Sequence, residues 1–219
     1  MTAVRPFPTR RTTAVCLVAA ALVTAAGMAA TPWESEQSVR AYHDALAAHP
    51  DQAQVAAVLL HFGYMLFAPA AVGMLALMAP RGGWLFRIGA VLAVLGMTTL
   101  PGLLVTDAYD LALAQELPRE SSVPASEAVS EMPLSTILGL PAVAGTVLGL
   151  WVIAFGLWRA GEAPLAFPLL MVAGWVVSFV TFEPAVIVAG TLLVLASAAV
   201  AAARLWRAGT TIPLVADSP

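Results

Sequence analysis

The chain has 219 residues, 60% of them hydrophobic and only 11% charged. A soluble domain carries charge on about a quarter of its residues, so the polar side chains here are too few to clothe a water-facing surface, and lipid has to solvate the remainder. Every one of the ten basic residues is arginine, which removes the lysine of a phosphate-gripping P-loop and that of a retinal or pyridoxal Schiff base, and with them nucleotide-driven pumping and imine catalysis by this chain.

Cys16 is the single cysteine; it allows no internal disulfide, redox pair or thiolate metal cage and reads as a small buried apolar residue. Arginine without lysine, with abundant Ala, Val, Leu, Gly and Pro, suggests codon bias from a GC-rich bacterial genome. A bacterial plasma membrane is the expected location.

A helix needs about 20 apolar residues to cross about 30 Å of hydrocarbon. The first such stretch is 12–33. Arg10 and Arg11 before it, and Gly27, Ala29 and Ala30 at its end, also fit a secretory signal, but the run is longer than a signal core, so an uncleaved anchor is expected. Thr12 and Thr13 stand where a twin-arginine export motif would have a hydrophobic residue. In the segment 34–52 that follows, Thr31, Pro32 and Glu34 read as a capping box opening a short helix that Pro50 stops. Val39, Tyr42 and Leu46 share one face of it, predicted to lie on the membrane surface or over the bundle.

Asp51 then reads as the cap of a second span, 53–79, in which His61 is the only ionisable side chain apart from Tyr64. The third span is 84–106. The segment 107–131 begins helix-like, and its later part, 121–130, reads as a loop. Spans four to six are 132–158, 163–182 and 184–203. The last two form a hairpin turning near Glu183 and Pro184, since as one helix they would reach about twice the bilayer core. No stretch alternates as a membrane β-strand does. The expected fold class is therefore all-α: a polytopic transmembrane helical bundle of six spans, N-in and C-in, forming one integral membrane domain over 1–219.

Orientation follows from arginine, because cytoplasmic loops retain positive charge. Arg5, Arg10, Arg11, Arg81, Arg87, Arg159, Arg204 and Arg207 all fall on one side of the six-span map, leaving Arg40 and Arg119 on the other. Eleven of the thirteen acids join those two, so the predicted outer face sums to minus nine and the inner to plus six. An outer surface of that sign attracts cations over a screening length of about 8 Å.

The residues that could carry chemistry are few. Ionisable groups in hydrocarbon are costly and often mark a pathway, while otherwise they bond to a neighbouring backbone or hydroxyl group. His61 stands about two turns below the outer surface with Tyr64 one turn further in; no second intramembrane histidine is present to complete a bis-histidine haem site. Asp107 and Asp110, three residues apart, project from one side of a continuing helix, and a hairpin of spans two and three would bring His61 near Asp107. Such a group could bind a cation or relay protons, with Glu183 as a further candidate, although hydration at the interface and a simple turn explain the same acids.

Gly145 and Gly149 form a GxxxG step, and Gly89 and Gly96 sit one heptad apart; these glycines are expected to mark helix-packing seams within one chain, or else a homo-oligomer seam. Trp84, Trp151, Trp158 and Trp206 read as interfacial anchors. Pro69 and Gly73 echo Pro141 and Gly145 without defining a repeat. No motif specific to a family is present. No catalytic residue, metal site or cofactor is assigned, and the dispersed arginines exclude a nucleic-acid surface.

Two functions suit this pattern about equally: permease-like handling of a small solute or cation at a pocket of His61, Tyr64 and Asp107, or an accessory subunit docking on a membrane protein partner through glycine-lined faces. A lipid-modifying enzyme ranks below both, because its polar groups would be denser.

Overall fold

The computed structural model describes residues 9–34, 36, 38–78, 84–180 and 183–209, with residues 84–86 described by their backbone alone. Among the described residues the chain is helical and contains no strand. The predicted positions of Arg5, Arg81 and Asp217, and the end of the fifth span, lie outside the described residues.

Among the described residues nine helices follow in order: α1 (Arg10–Ala30), α2 (Val39–Ala48), α3 (Pro50–Met78), α4 (Trp84–Leu103), α5 (Val105–Glu116), α6 (Arg119–Ser130), α7 (Pro133–Arg159), α8 (Ala166–Val180) and α9 (Pro184–Arg207). Five apolar stretches among the described residues are long enough to cross a membrane, namely α1, α3, α7, α9 and the pair α4 and α5 taken together. The sixth predicted span is represented by α8, whose 15 residues rise about 22 Å. Large apolar side chains face outward along these helices, among them Val91, Ile137, Leu140 and Val180. Outward-facing apolar residues on so many helices are what a lipid-solvated surface requires.

The six apolar helices are arranged as three hairpins, α1 with α3, α4 with α7 and α8 with α9. They close into a ring, because α3 also packs on α4, α7 on α8 and α9 on α1. Within each hairpin the backbones approach at glycine. A side chain at Gly27 would meet Leu60, at Gly63 it would meet Thr24, and at Gly174 it would meet the carbonyl of Gly190 at 2.7 Å. Apolar helices of this kind gain nothing from leaving lipid, so close van der Waals contact has to hold them, and small residues permit it.

Two ends of the bundle are distinct. At one, Arg10 at the start of α1 forms a two-pronged ion pair with Glu162 in the α7–α8 turn, and Arg11 lies over the Trp206 ring near the end of α9, 5.1 Å from its centroid. Gly161 makes this possible: its φ of 75° ends α7 in a left-handed residue, the Glu162 and Ala163 amides turn back onto the Leu157 carbonyl, and Glu162 is presented to Arg10. At the opposite, capped end, α2, α5 and α6 pack on one another. Leu46, Ala53 and Leu111 form a small apolar core that seats α2 over α3 and α5.

Several local predictions are corrected. Thr31 does not open α2; its hydroxyl donates to the Gly27 carbonyl at 2.9 Å and finishes α1. The cap of α2 is Ser38, which accepts from the Ala41 amide, and Pro50 both follows the end of α2 and begins α3, leaving Asp51 in the first turn of α3 instead of at its cap. Residues 121–130 belong to helix α6, not to a loop, because Ser122, Val123 and Ser126 bury one face of it. Trp151 packs against the core with its indole N–H buried, away from an interfacial position, while Trp158 and Trp206 are exposed.

Candidate functional site

The polar groups at the capped end converge from three elements. α4 breaks at Leu104, and the chain resumes as α5, whose first turn carries Asp107. Asp107 and Asp110 are both partly buried beneath α2. Tyr42, on α2, stands beside Asp107 on the wall of one cavity. Burial first, and then the two nearby carboxylates, push the Tyr42 hydroxyl well above its usual range, so it remains protonated. Asp110 accepts from the Ser126 hydroxyl of α6 at 2.6 Å, and His43 of α2 lies 3.9 Å from the same carboxylate oxygen. Neither ring nitrogen of His43 has a hydrogen-bond partner, although the residue is 2% exposed.

Outside this cluster, Arg119 clasps Asp44 through both guanidinium and carboxylate arms, tying α6 to α2. The hydrogen bonds from Arg119 hold the Asp44 carboxyl below its ordinary range. The pair is exposed on both sides, and surface pairs of this kind contribute little to stability.

A cavity of about 200 Å³ opens beside Asp107, between α2, α3 and α5. Its walls are the Asp107 and Tyr42 side chains on one side and Leu46, Ala56, Leu60 and Leu111 on the other. Among the described residues no three His, Cys, Asp or Glu side chains come close enough together to hold a metal ion.

His61 does not join Asp107 in a shared cluster of hydrogen bonds. Its Nδ1 lies 3.0 Å from the Pro101 carbonyl, which can only accept, so that nitrogen is the donor. The partner is supplied by the helix break at Leu104, which interrupts the backbone ladder just beyond Pro101. Tyr64 is buried one turn further along α3. Glu183 is exposed and precedes α9, with Pro184 at the first helical position. The residues missed in the sequence are Tyr42, His43 and Ser126. Tyr42 was visible only as part of an apolar face, and nothing local signalled that the face would cover two acids.

The four glycines predicted to mark seams lie along one contact, between α4 and α7. A side chain at Gly145 would stand 2.8 Å from the Leu92 carbonyl and 3.0 Å from the Gly96 amide. Gly149 would meet Ala93, Gly89 would meet Val152, and Gly96 would run into the Thr146 amide.

Comparison of the chain with protein-family models, with curated proteins and with solved structures finds no match in any of the three. Its chemistry has to be read from its own residues.

Proposed function

We propose that the chain is a six-span protein of a bacterial plasma membrane, with both termini in the cytoplasm and the α2, α5 and α6 cap outside. It handles a small organic cation in a permease-like role. The observation that carries this reading is the cavity beside Asp107: one carboxylate, with Tyr42 and Gln54 on the same lining, set among largely apolar walls. A carboxylate in such a place favours a positive charge, and the walls favour a short hydrocarbon body. Together these suit a primary ammonium ion of about four carbons better than a bare metal ion, for which no three His, Cys, Asp or Glu side chains gather among the described residues. The acidic cap adds a field that concentrates cations at the mouth.

The accessory-subunit reading draws less support. The glycines that would have supplied docking faces are taken up in the contact between α4 and α7.

The test is thermal unfolding of the purified protein in detergent with n-butylammonium, butyrate and sodium at equal ionic strength. Butylammonium is expected to raise the midpoint saturably, by the equivalent of about 2.7 kcal/mol at one hundred times its Kd. Asp107→Asn should abolish the rise and Tyr42→Phe should weaken it. Equal stabilisation by butyrate, or a response that survives Asp107→Asn, contradicts the reading.

A further inference from the structure

Below the capped end the ring of helices does not close completely. A second cavity, of about 160 Å³, lies between α1, α3, α4, α7, α8 and α9. It differs in kind from the Asp107 pocket, because no Asp, Glu, Arg or His side chain lines it. Trp33, Tyr64, Trp175 and Phe179 supply aromatic walls, and Leu100 and Val147 supply aliphatic ones. Trp175 and Phe179 are stacked, with ring centroids 5.8 Å apart.

The hydrogen-bonding groups around the cavity are not equally occupied. The Trp33 indole N–H donates to the Met28 carbonyl at 2.7 Å, and the Ser178 hydroxyl donates to the Gly174 carbonyl at 3.0 Å. The Trp175 indole N–H has no partner, although Trp175 is 6% exposed and its nitrogen is fully buried. A buried donor without an acceptor is unfavourable, and indole can only donate. The Thr146 hydroxyl on the same wall is likewise buried without a partner, so two unpaired groups border the void, and of these the indole requires an acceptor.

We infer that this chamber is a binding site for a neutral, single-ring molecule carrying a carbonyl or similar acceptor, which the Trp175 N–H receives. Size supports one ring: a cavity of about 150 Å³ with apolar walls is known to hold benzene. Neutrality follows from the lining, since an ion would be stripped of water with no countercharge to replace it. Water alone is a poorer occupant, because a buried water needs two to four polar partners and most of this wall is apolar. The site is separate from the Asp107 pocket, although the two are neighbours along α3, where Leu60 lines one and Tyr64 the other.

The test uses the full chain in detergent, with cyclohexanone as the probe and cyclohexane and cyclohexylammonium as comparators, read by the shift in thermal midpoint across a concentration series. Cyclohexanone is expected to give a saturable rise at roughly fivefold to tenfold lower concentration than cyclohexane. Cyclohexylammonium should give none in the Asp107→Asn background, which silences the outer pocket and leaves the cyclohexanone response intact. Trp175→Phe keeps the aromatic body, removes the donor, and should erase the preference for cyclohexanone over cyclohexane. Val147→Phe fills the chamber and should remove both responses, so the inference stays decidable even if Trp175→Phe does not fold. Absence of saturation in the parent, equal response to cyclohexane, or a cyclohexanone response that survives Val147→Phe would each overturn it.

Discussion

Gly96→Leu and Gly145→Leu are expected to abolish recovery of folded protein, read as loss of the monodisperse peak on size exclusion and of a cooperative thermal transition. The first Cβ atom at either site runs into backbone, not into a flexible side-chain end: the Thr146 amide for Gly96, the Leu92 carbonyl and the Gly96 amide for Gly145. Backbone cannot move aside without parting α4 from α7. Overpacking that side chains can absorb costs about 1–3 kcal/mol, and a clash that separates two helices along their shared seam exceeds that range. Gly102→Ala and Gly139→Ala provide the contrast, since a Cβ at either meets nothing within 4 Å. Both sit inside helices, where Ala is favoured over Gly by about 0.5–1 kcal/mol, so both should be neutral or slightly stabilising.

The second large effect is expected at the opposite end. Glu162→Gln or Arg10→Met should each destabilise the protein by about 3–5 kcal/mol, because either change removes the two-pronged counter-charge from a charged side chain largely withdrawn from water. The Arg10 and Glu162 side chains are 8% and 15% exposed, and their pairing is two-pronged. Replacing both by methionine should cost less than either single change, since neither charge then has to be kept out of water. Equilibrium unfolding of the two single variants and the double variant measures this directly. Strict additivity would mean that the two residues act independently.

What could be read in advance, and what could not, divides along physical lines. Hydropathy locates apolar helices because lipid solvates one residue at a time, so 12–33, 53–79 and 132–158 all correspond to long helices within a few residues. Which helix faces which is not encoded that way: where both faces are apolar, periodicity carries no direction. Gly89, Gly96, Gly145 and Gly149 therefore stood out as seam residues while their pairing across α4 and α7 did not.

His61 illustrates a second limit. Its spacing placed it near Asp107, but the break at Leu104 leaves the Pro101 carbonyl free to take the imidazole, and such a break depends on tertiary packing. α6 illustrates a third, since Pro124 and a run of serines read as a loop until contact with α5, through Ser126 and Asp110, makes the helix worthwhile. Tyr42 and His43 belong to the same class: their roles exist only once α2 is docked over α5.

The central claim is that lipid surrounds the ring of apolar helices, with the α2, α5 and α6 cap on the outside of the cell and the arginine-rich end within. Cysteine labelling tests it most directly. In a Cys16→Ser background, Ser121→Cys on α6 and Ala208→Cys after α9 both place a thiol at an exposed position. With a membrane-impermeant maleimide applied to intact bacterial cells expressing each variant, Ser121→Cys is predicted to label at once, and Ala208→Cys only after the membrane is permeabilised. Equal labelling of the two in intact cells, or recovery of the folded protein from the cytosol without detergent, would contradict the claim.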